Sequence, residues 1–126
     1  MKLNYKSLLG LVIILLTFNA CYKDIIGPDS DPDGPPQAVS FKEDLVPLLQ
    51  NKCTNVGCHV AGGHKPYMDK QEELFRNIVN GGFVNTFLPK ESILYKQVYG
   101  SMAEFIPSNK DKQLIYDWIR NGAPNN

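Results

Sequence analysis

Four segments after residue 40 repeat apolar residues at the spacing of an α-helix. They cover residues 41–52, 71–79, 92–99 and the stretch between Ser108 and Gly122. Asn80-Gly81-Gly82 follows the second segment and Gly100 follows the third, as is common where helices end. No segment shows the period-two alternation that is typical of a half-buried strand. The sequence therefore predicts an all-α domain with long loops at residues 59–70 and 81–90.

The first and last segments carry the strongest local signals. Ser108 is a suitable N-cap, and Asp111 three residues later gives a capping-box pattern. Gly122 then favours the end of that helix. In the first segment Ser40 is a plausible N-cap, but Pro47 lies in the interior and predicts a bend or a late start. The apolar stripes of these two helices are formed by Phe41, Leu45, Leu48 and Leu49, and by Leu114, Ile115, Trp118 and Ile119.

The N-terminal residues have the three-part plan of a secretory signal peptide. Lys2 and Lys6 give a positive start, residues 8–16 are apolar, and Ala20 precedes Cys21. The apolar run is shorter than the roughly 20 residues that a transmembrane helix needs. A small residue before a cysteine resembles the site cut by lipoprotein signal peptidase, which implies acylation of Cys21. The alternative is an ordinary signal peptide with Cys21 as a spare thiol.

Residues 21–39 are rich in proline and aspartate and poor in apolar side chains, which predicts a disordered tether. Residues 40–126 would form the folded domain, behind a signal peptide at 1–20. The chain has 13 basic and 13 acidic residues, and loss of Lys2 and Lys6 with the signal leaves 11 basic ones. No cluster or stripe of basic residues suggests a nucleic-acid partner. We expect attachment to a membrane through the lipid, on the periplasmic or cell-surface side of the envelope.

A Cys-x4-Cys-His sequence follows the first predicted helix at Cys53, Cys58 and His59. Two thiols can add to the two vinyl groups of a porphyrin, and an adjacent imidazole can then reach the iron. The usual signature for covalent haem is Cys-x-x-Cys-His. The two additional residues here must bend outward, and Gly57 would permit such a bend.

The wider sequence resembles small monohaem cytochrome c domains of bacterial lipoproteins, the planctomycete-type family. The resemblance spans residues 41–124 and rests on Asp44 to Leu49, Lys52-Cys53, Cys58-His59, Ile93-Leu94-Tyr95 and Asp117 to Pro124. It implies a cytochrome c-like fold with one covalent haem c. Cys53 and Cys58 would form the thioethers, and His59 would be the proximal iron ligand.

The family's distal ligand comes from a Met-Pro pair, which corresponds here to Ile106-Pro107. Isoleucine cannot bind iron. Met102, four residues upstream, is the candidate distal ligand, and its alternative role is that of a core methionine. His64 and Met68 lie close to His59 in sequence, which argues against either reaching the opposite face of a haem. His64 is most simply a solvated loop residue.

Two other interpretations of the cysteines remain open. A disulfide between Cys53 and Cys58 would make the protein a haem-free structural or binding lipoprotein of the same fold. A zinc site would need Cys53, Cys58, His59 and His64 together.

Only two histidines are present, and no paired carboxylates or nucleophile motif stand out. We therefore expect an electron carrier that meets redox partner proteins rather than an enzyme. Apolar and aromatic residues expected to line a haem pocket are Phe83, Phe87, Leu88, Tyr95 and Trp118.

Overall fold

The structure of the protein, a computed structural model, describes residues 32–126. The predicted signal peptide, Cys21 and the first part of the predicted tether lie outside the described residues. Residues 32–126 contain four helices, here named α1 to α4, and no strand. The prediction of an all-α domain is therefore confirmed for this part of the chain. Within the same residues no helix is both long and apolar enough to cross a bilayer.

Helix α1 begins with a π-helical turn, Phe41–Leu45, and continues as an α-helix, Val46–Cys53. The side chain of Ser40 accepts a hydrogen bond from the Glu43 amide at 3.1 Å, which confirms the predicted N-cap. Pro47 lies in the first turn of the α-helical part. Proline has no N–H to donate, and Pro47 lies at the junction where the π-helical hydrogen bonds end, with Val46 donating to the Phe41 carbonyl, and the α-helical ones begin. The change from π to α geometry thus explains how this helix accommodates Pro47.

The other helices lie close to the predicted bounds. Helix α2 comprises an α-helical part, Gln71–Phe75, and a π-helical part, Arg76–Asn80. A 3-10 turn, Pro89–Glu91, precedes α3, Ile93–Tyr99. Helix α4 is Asn109–Arg120, and its N-cap Ser108 accepts a hydrogen bond from the Asp111 amide at 3.2 Å.

The core forms where α1, α2 and α4 meet. Phe41 packs against Trp118 and edge-on against Phe75, with ring centroids 5.2 Å apart in both pairs. The Trp118 indole is fully buried and donates a hydrogen bond to the Pro124 carbonyl at 2.9 Å. Six aliphatic side chains complete this core without exposed surface: Leu45, Leu49, Leu74, Ile78, Ile115 and Ile119.

Asn126 links the end of the chain to the start of α1. Its side-chain oxygen accepts from the Phe41 amide at 2.8 Å, and its backbone oxygen accepts from the Lys42 amide at 3.0 Å. These bonds satisfy amides that have no partner inside the helix.

Residues 32–39, the second part of the predicted tether, pack against α4. The buried carboxylate of Asp117 accepts a hydrogen bond from the Gln37 amide at 3.2 Å. Arg120 donates to the Pro32 carbonyl at 3.0 Å and also to the Gly34 carbonyl. Val39 is buried in the core. Residues 32–39 of the predicted tether are thus bound to the domain, mostly through backbone groups rather than through apolar side chains.

Candidate functional site

A cavity of about 470 Å³ lies between α1, α3 and the loop that follows α1. We call it the cysteine cavity, because both Cys53 and Cys58 line it. Its volume falls within the roughly 300–1,000 Å³ that is usual for small-molecule and cofactor sites. Much of its wall is apolar and comes from Leu49, Phe83, Leu94, Val98, Phe105 and Ile106. Such a wall favours a largely apolar ligand.

The two cysteines of the described region reach this wall from different elements. Cys53 is the last residue of α1, and Cys58 lies in the following loop; both are free, half-buried thiols. Burial raises the pKa of Cys53 to about 11, and the neighbouring Cys58 adds a smaller effect in the same direction. Desolvation penalises the thiolate, so Cys53 remains protonated at neutral pH.

The four residues between the cysteines form a turn that projects from the surface. The Cys58 amide donates to the Asn55 carbonyl at 2.8 Å, and Gly57 has a φ of +82°. Residues with a side chain rarely adopt that backbone conformation, so glycine is well suited to the position. Val56 at the tip is fully exposed. The structure thus shows the outward bend expected from the longer Cys-x4-Cys spacing.

His59 is brought back beside α1 by its backbone. Its amide donates to the Cys53 carbonyl at 3.0 Å, so the turn closes directly on the end of the helix. The loop then folds tightly, because the His64 amide donates to the Cys58 carbonyl at 2.8 Å. A Cβ on Gly63 would lie only 2.1 Å from that same carbonyl oxygen, so this close approach requires glycine.

The imidazole of His59 is oriented by a backbone carbonyl. Its Nδ1 lies 3.0 Å from the Pro66 oxygen, and because a carbonyl can only accept, Nδ1 must donate. The neutral ring then carries its lone pair on Nε2. Metal-binding histidines typically have this arrangement, in which the second ring nitrogen donates to a carbonyl or carboxylate. His59 thus combines this ring orientation with a half-buried position in the wall of the cysteine cavity.

Both methionines named from the sequence also line the cysteine cavity. Met102 is half-buried in the loop after α3, where its amide donates to the Gln97 carbonyl at 2.8 Å. Met68 is almost fully buried and belongs to the core as well as to the cavity wall. His64 lines the cavity from an exposed position. Ile106 is a buried residue of the cavity wall.

The structure brings Cys53, Cys58, His59 and Met102 together around one cavity. The pocket-lining expectation was correct for Phe83 and wrong for four other residues. Phe87 and Leu88 are exposed, with 93% and 57% of their surface accessible. Tyr95 stacks on Tyr99 and Tyr116, and Trp118 belongs to the core beside Phe41.

Sequence reasoning missed Leu94 and Val98 of α3, which line the cavity together with Gln97. Their spacing of four residues places them on one helix face, and that signal could have identified them.

A zinc site is not assembled in the described part of the chain. Within residues 32–126 no group of three or more His, Cys, Asp or Glu side chains is arranged to hold a metal ion. The four residues considered for zinc therefore do not converge on one point.

Comparisons of the chain with protein-family models, with curated proteins and with solved structures found no match.

Proposed function

We propose that this domain binds one haem c covalently and carries electrons. In this proposal Cys53 and Cys58 form thioethers with the vinyl groups, and His59 is the proximal ligand through Nε2. The observation that carries the proposal is the hydrogen bond from His59 Nδ1 to the Pro66 carbonyl, made by a residue of a cavity wall that also contains both thiols.

The residues around the cysteine cavity fit a haem in three respects. The volume and apolar lining suit a flat, largely apolar macrocycle. The paired thiols suit covalent attachment, and an imidazole of fixed orientation suits an axial ligand. When bound, haem would supply a one-electron Fe(III)/Fe(II) couple.

The chain's own contribution is to exclude water, hold the ring of His59 and choose the opposite ligand. Leu49, Leu94 and Val98 are buried side chains of the cavity wall, and they would shield the haem from solvent. The carbonyl of Pro66 fixes the imidazole and increases its basicity as a ligand. Met102 would supply the second iron ligand, the one predicted as distal, and a thioether paired with histidine would raise the reduction potential.

The proposal includes attachment to the cell envelope through lipid on Cys21, which lies outside the described residues. The domain would then exchange electrons with redox proteins on the periplasmic or cell-surface side. It would act as a carrier rather than as an enzyme, behind a signal peptide that is removed.

The decisive experiment is expression of the full chain together with a cytochrome c maturation system. We expect a Soret band that remains with the protein after acid-acetone extraction, and an intact mass increased by one haem. The control is the double variant Cys53→Ser, Cys58→Ser, which should lose the band.

A native chain whose mass equals polypeptide plus lipid, with Cys53 and Cys58 joined in a disulfide, would refute haem attachment. It would favour a structural or binding lipoprotein instead.

A further inference from the structure

In the loop segment that orients His59, residues 66–68, both the N–H and the carbonyl of one peptide group are hydrogen-bonded. This group joins Tyr67 to Met68. Its N–H, from Met68, donates to the His59 carbonyl at 2.7 Å. Its carbonyl, from Tyr67, accepts from the side-chain amide of Asn77 at 2.9 Å. The carbonyl that holds the His59 ring belongs to the preceding peptide group, at Pro66. Two consecutive peptide groups therefore hold the backbone and the ring of the same histidine.

Asn77 is the residue that ties this segment to another helix at short distance. It lies in the π-helical part of α2, Arg76–Asn80, and is half-buried. From α1, Gln50 also reaches the segment, but its bonds to the Asp69 and Met68 carbonyls are longer, at 3.3 and 3.5 Å. Hydrogen bonds weaken at such distances. Asn77 is therefore the side chain of another helix that binds this part of the loop at the shortest distance.

We propose that Asn77 is a positioning residue for His59, acting through the Tyr67 carbonyl on the Pro66 carbonyl that accepts from Nδ1. This inference rests on the proposed function for its redox consequence, although its geometry stands without a cofactor. Asn77 does not line the cysteine cavity, and its hydrogen bond goes to the loop backbone at Tyr67 rather than to the imidazole. A firmly held acceptor makes the imidazole a more basic ligand, which favours the oxidised iron. Loss of the Asn77 bond should therefore raise the reduction potential.

Two substitutions test this role against a matched control. Asn77→Asp keeps the size of the side chain but removes the N–H donor, and Asn77→Ala removes the whole group. The control is Asn121→Asp, because Asn121 also donates from its side-chain amide to a backbone carbonyl, that of Gln37, at 2.7 Å. Asn121 lies at the end of α4 and does not line the cysteine cavity. The same chemical change is thereby made near to and far from His59.

The readouts are hydrogen exchange of the Met68 amide and of the His59 Nδ1–H proton by NMR, together with the reduction potential. Both Asn77 variants should exchange these two protons roughly 2- to 10-fold faster, as expected for loss of one ordinary hydrogen bond. The reduction potential of Asn77→Ala should be higher than that of the wild type, whereas Asn77→Asp is read only by hydrogen exchange, because its new carboxylate would itself lower the potential. Asn121→Asp should leave all three values unchanged. In a variant that has lost stability as a whole, the amides of the core would also exchange faster, and not only these two protons.

The outcomes separate this inference from the proposed function. A protein that carries no haem refutes the proposed function, and the two exchange rates measured on that haem-free chain still decide the role of Asn77. Wild-type exchange rates in Asn77→Asp and Asn77→Ala would overturn the inference, whether or not haem is bound. If neither variant folds, the wild-type protein is tested directly by NMR. A scalar coupling between the Asn77 side-chain amide and the Tyr67 carbonyl carbon is expected from their hydrogen bond, and its absence would overturn the inference.

Discussion

Before any cofactor is attached, Cys53 should react far more slowly than an ordinary thiol. Its sulfur lies in the wall of the cysteine cavity, and burial raises its pKa from 9.0 to about 11. At pH 8 about one Cys53 side chain in a thousand is then a thiolate, against about one in ten for a thiol with the ordinary value. Because the thiolate is the nucleophile, alkylation of Cys53 at pH 8 should be about 100-fold slower in the folded protein than in the unfolded chain.

The assay is labelling with iodoacetamide followed by peptide mass spectrometry, on full-length protein made without the maturation system. The rate at Cys53 should increase about tenfold for each pH unit and level off only near pH 11. Unfolding in urea should restore ordinary reactivity. Cys58→Ser should accelerate Cys53 only slightly, because burial is the larger cause and Cys58 the smaller one. Equal labelling rates for Cys53 with and without urea at pH 8 would show that burial does not control this thiol.

Three further predictions concern the core, the N-terminal contact and the distal ligand. Trp118→Ala should lower the free energy of unfolding by about 3–5 kcal/mol in urea titrations, because the indole is fully buried. Phe87→Ala, at a side chain that is 93% exposed, should change it by less than about 0.5 kcal/mol. Asp117→Ala removes a buried acceptor of three hydrogen bonds and should lower the free energy of unfolding by about 2–3 kcal/mol. The same change should make residues 32–39 sensitive to protease, and unchanged protease resistance of this segment would contradict its packing against α4. Met102→Ala should lower the reduction potential of the haem-loaded protein or open the sixth coordination position, and an unchanged spectrum and potential would exclude ligation by this sulfur.

Local signals in the sequence were sufficient to predict the helices. Caps at Ser40 and Ser108 set two helix starts, and the apolar spacing gave the four elements to within a few residues. The chemistry-bearing cluster was likewise predictable, since Cys53, Cys58 and His59 are close in sequence. The longer spacing between the cysteines required only one flexible position, at Gly57.

The walls of the cavity depended on packing that no local pattern determines. Helix α3 is apolar on two sides, with Leu94 and Val98 on one and Tyr95 and Tyr99 on the other. Periodicity alone does not say which side faces the cavity, so the choice of Tyr95 was wrong. Trp118 was assigned to the pocket for a similar reason, although it packs against an aromatic ring of α1.

Backbone acceptors were also invisible to reasoning from residue types. The carbonyl of Pro66 orients His59, but a carbonyl is present at every position, and only the folded loop selects this one. The same limit applies to residues 32–39, whose proline-rich composition predicts a free linker. Their carbonyls and amides are instead bound by Arg120 and Asp117.

The contact of residues 32–39 with α4 bears on which side of the domain would lie nearest to a membrane anchor. None of the side chains that bind this segment, such as Asp117 and Arg120, belongs to the cavity wall. If lipid on Cys21 holds the chain at a bilayer, the tether joins the domain alongside α4, through residues 32–39. Residues 32–39 do not line the cysteine cavity, so the described part of the attachment leaves the cavity wall uncovered for a partner protein.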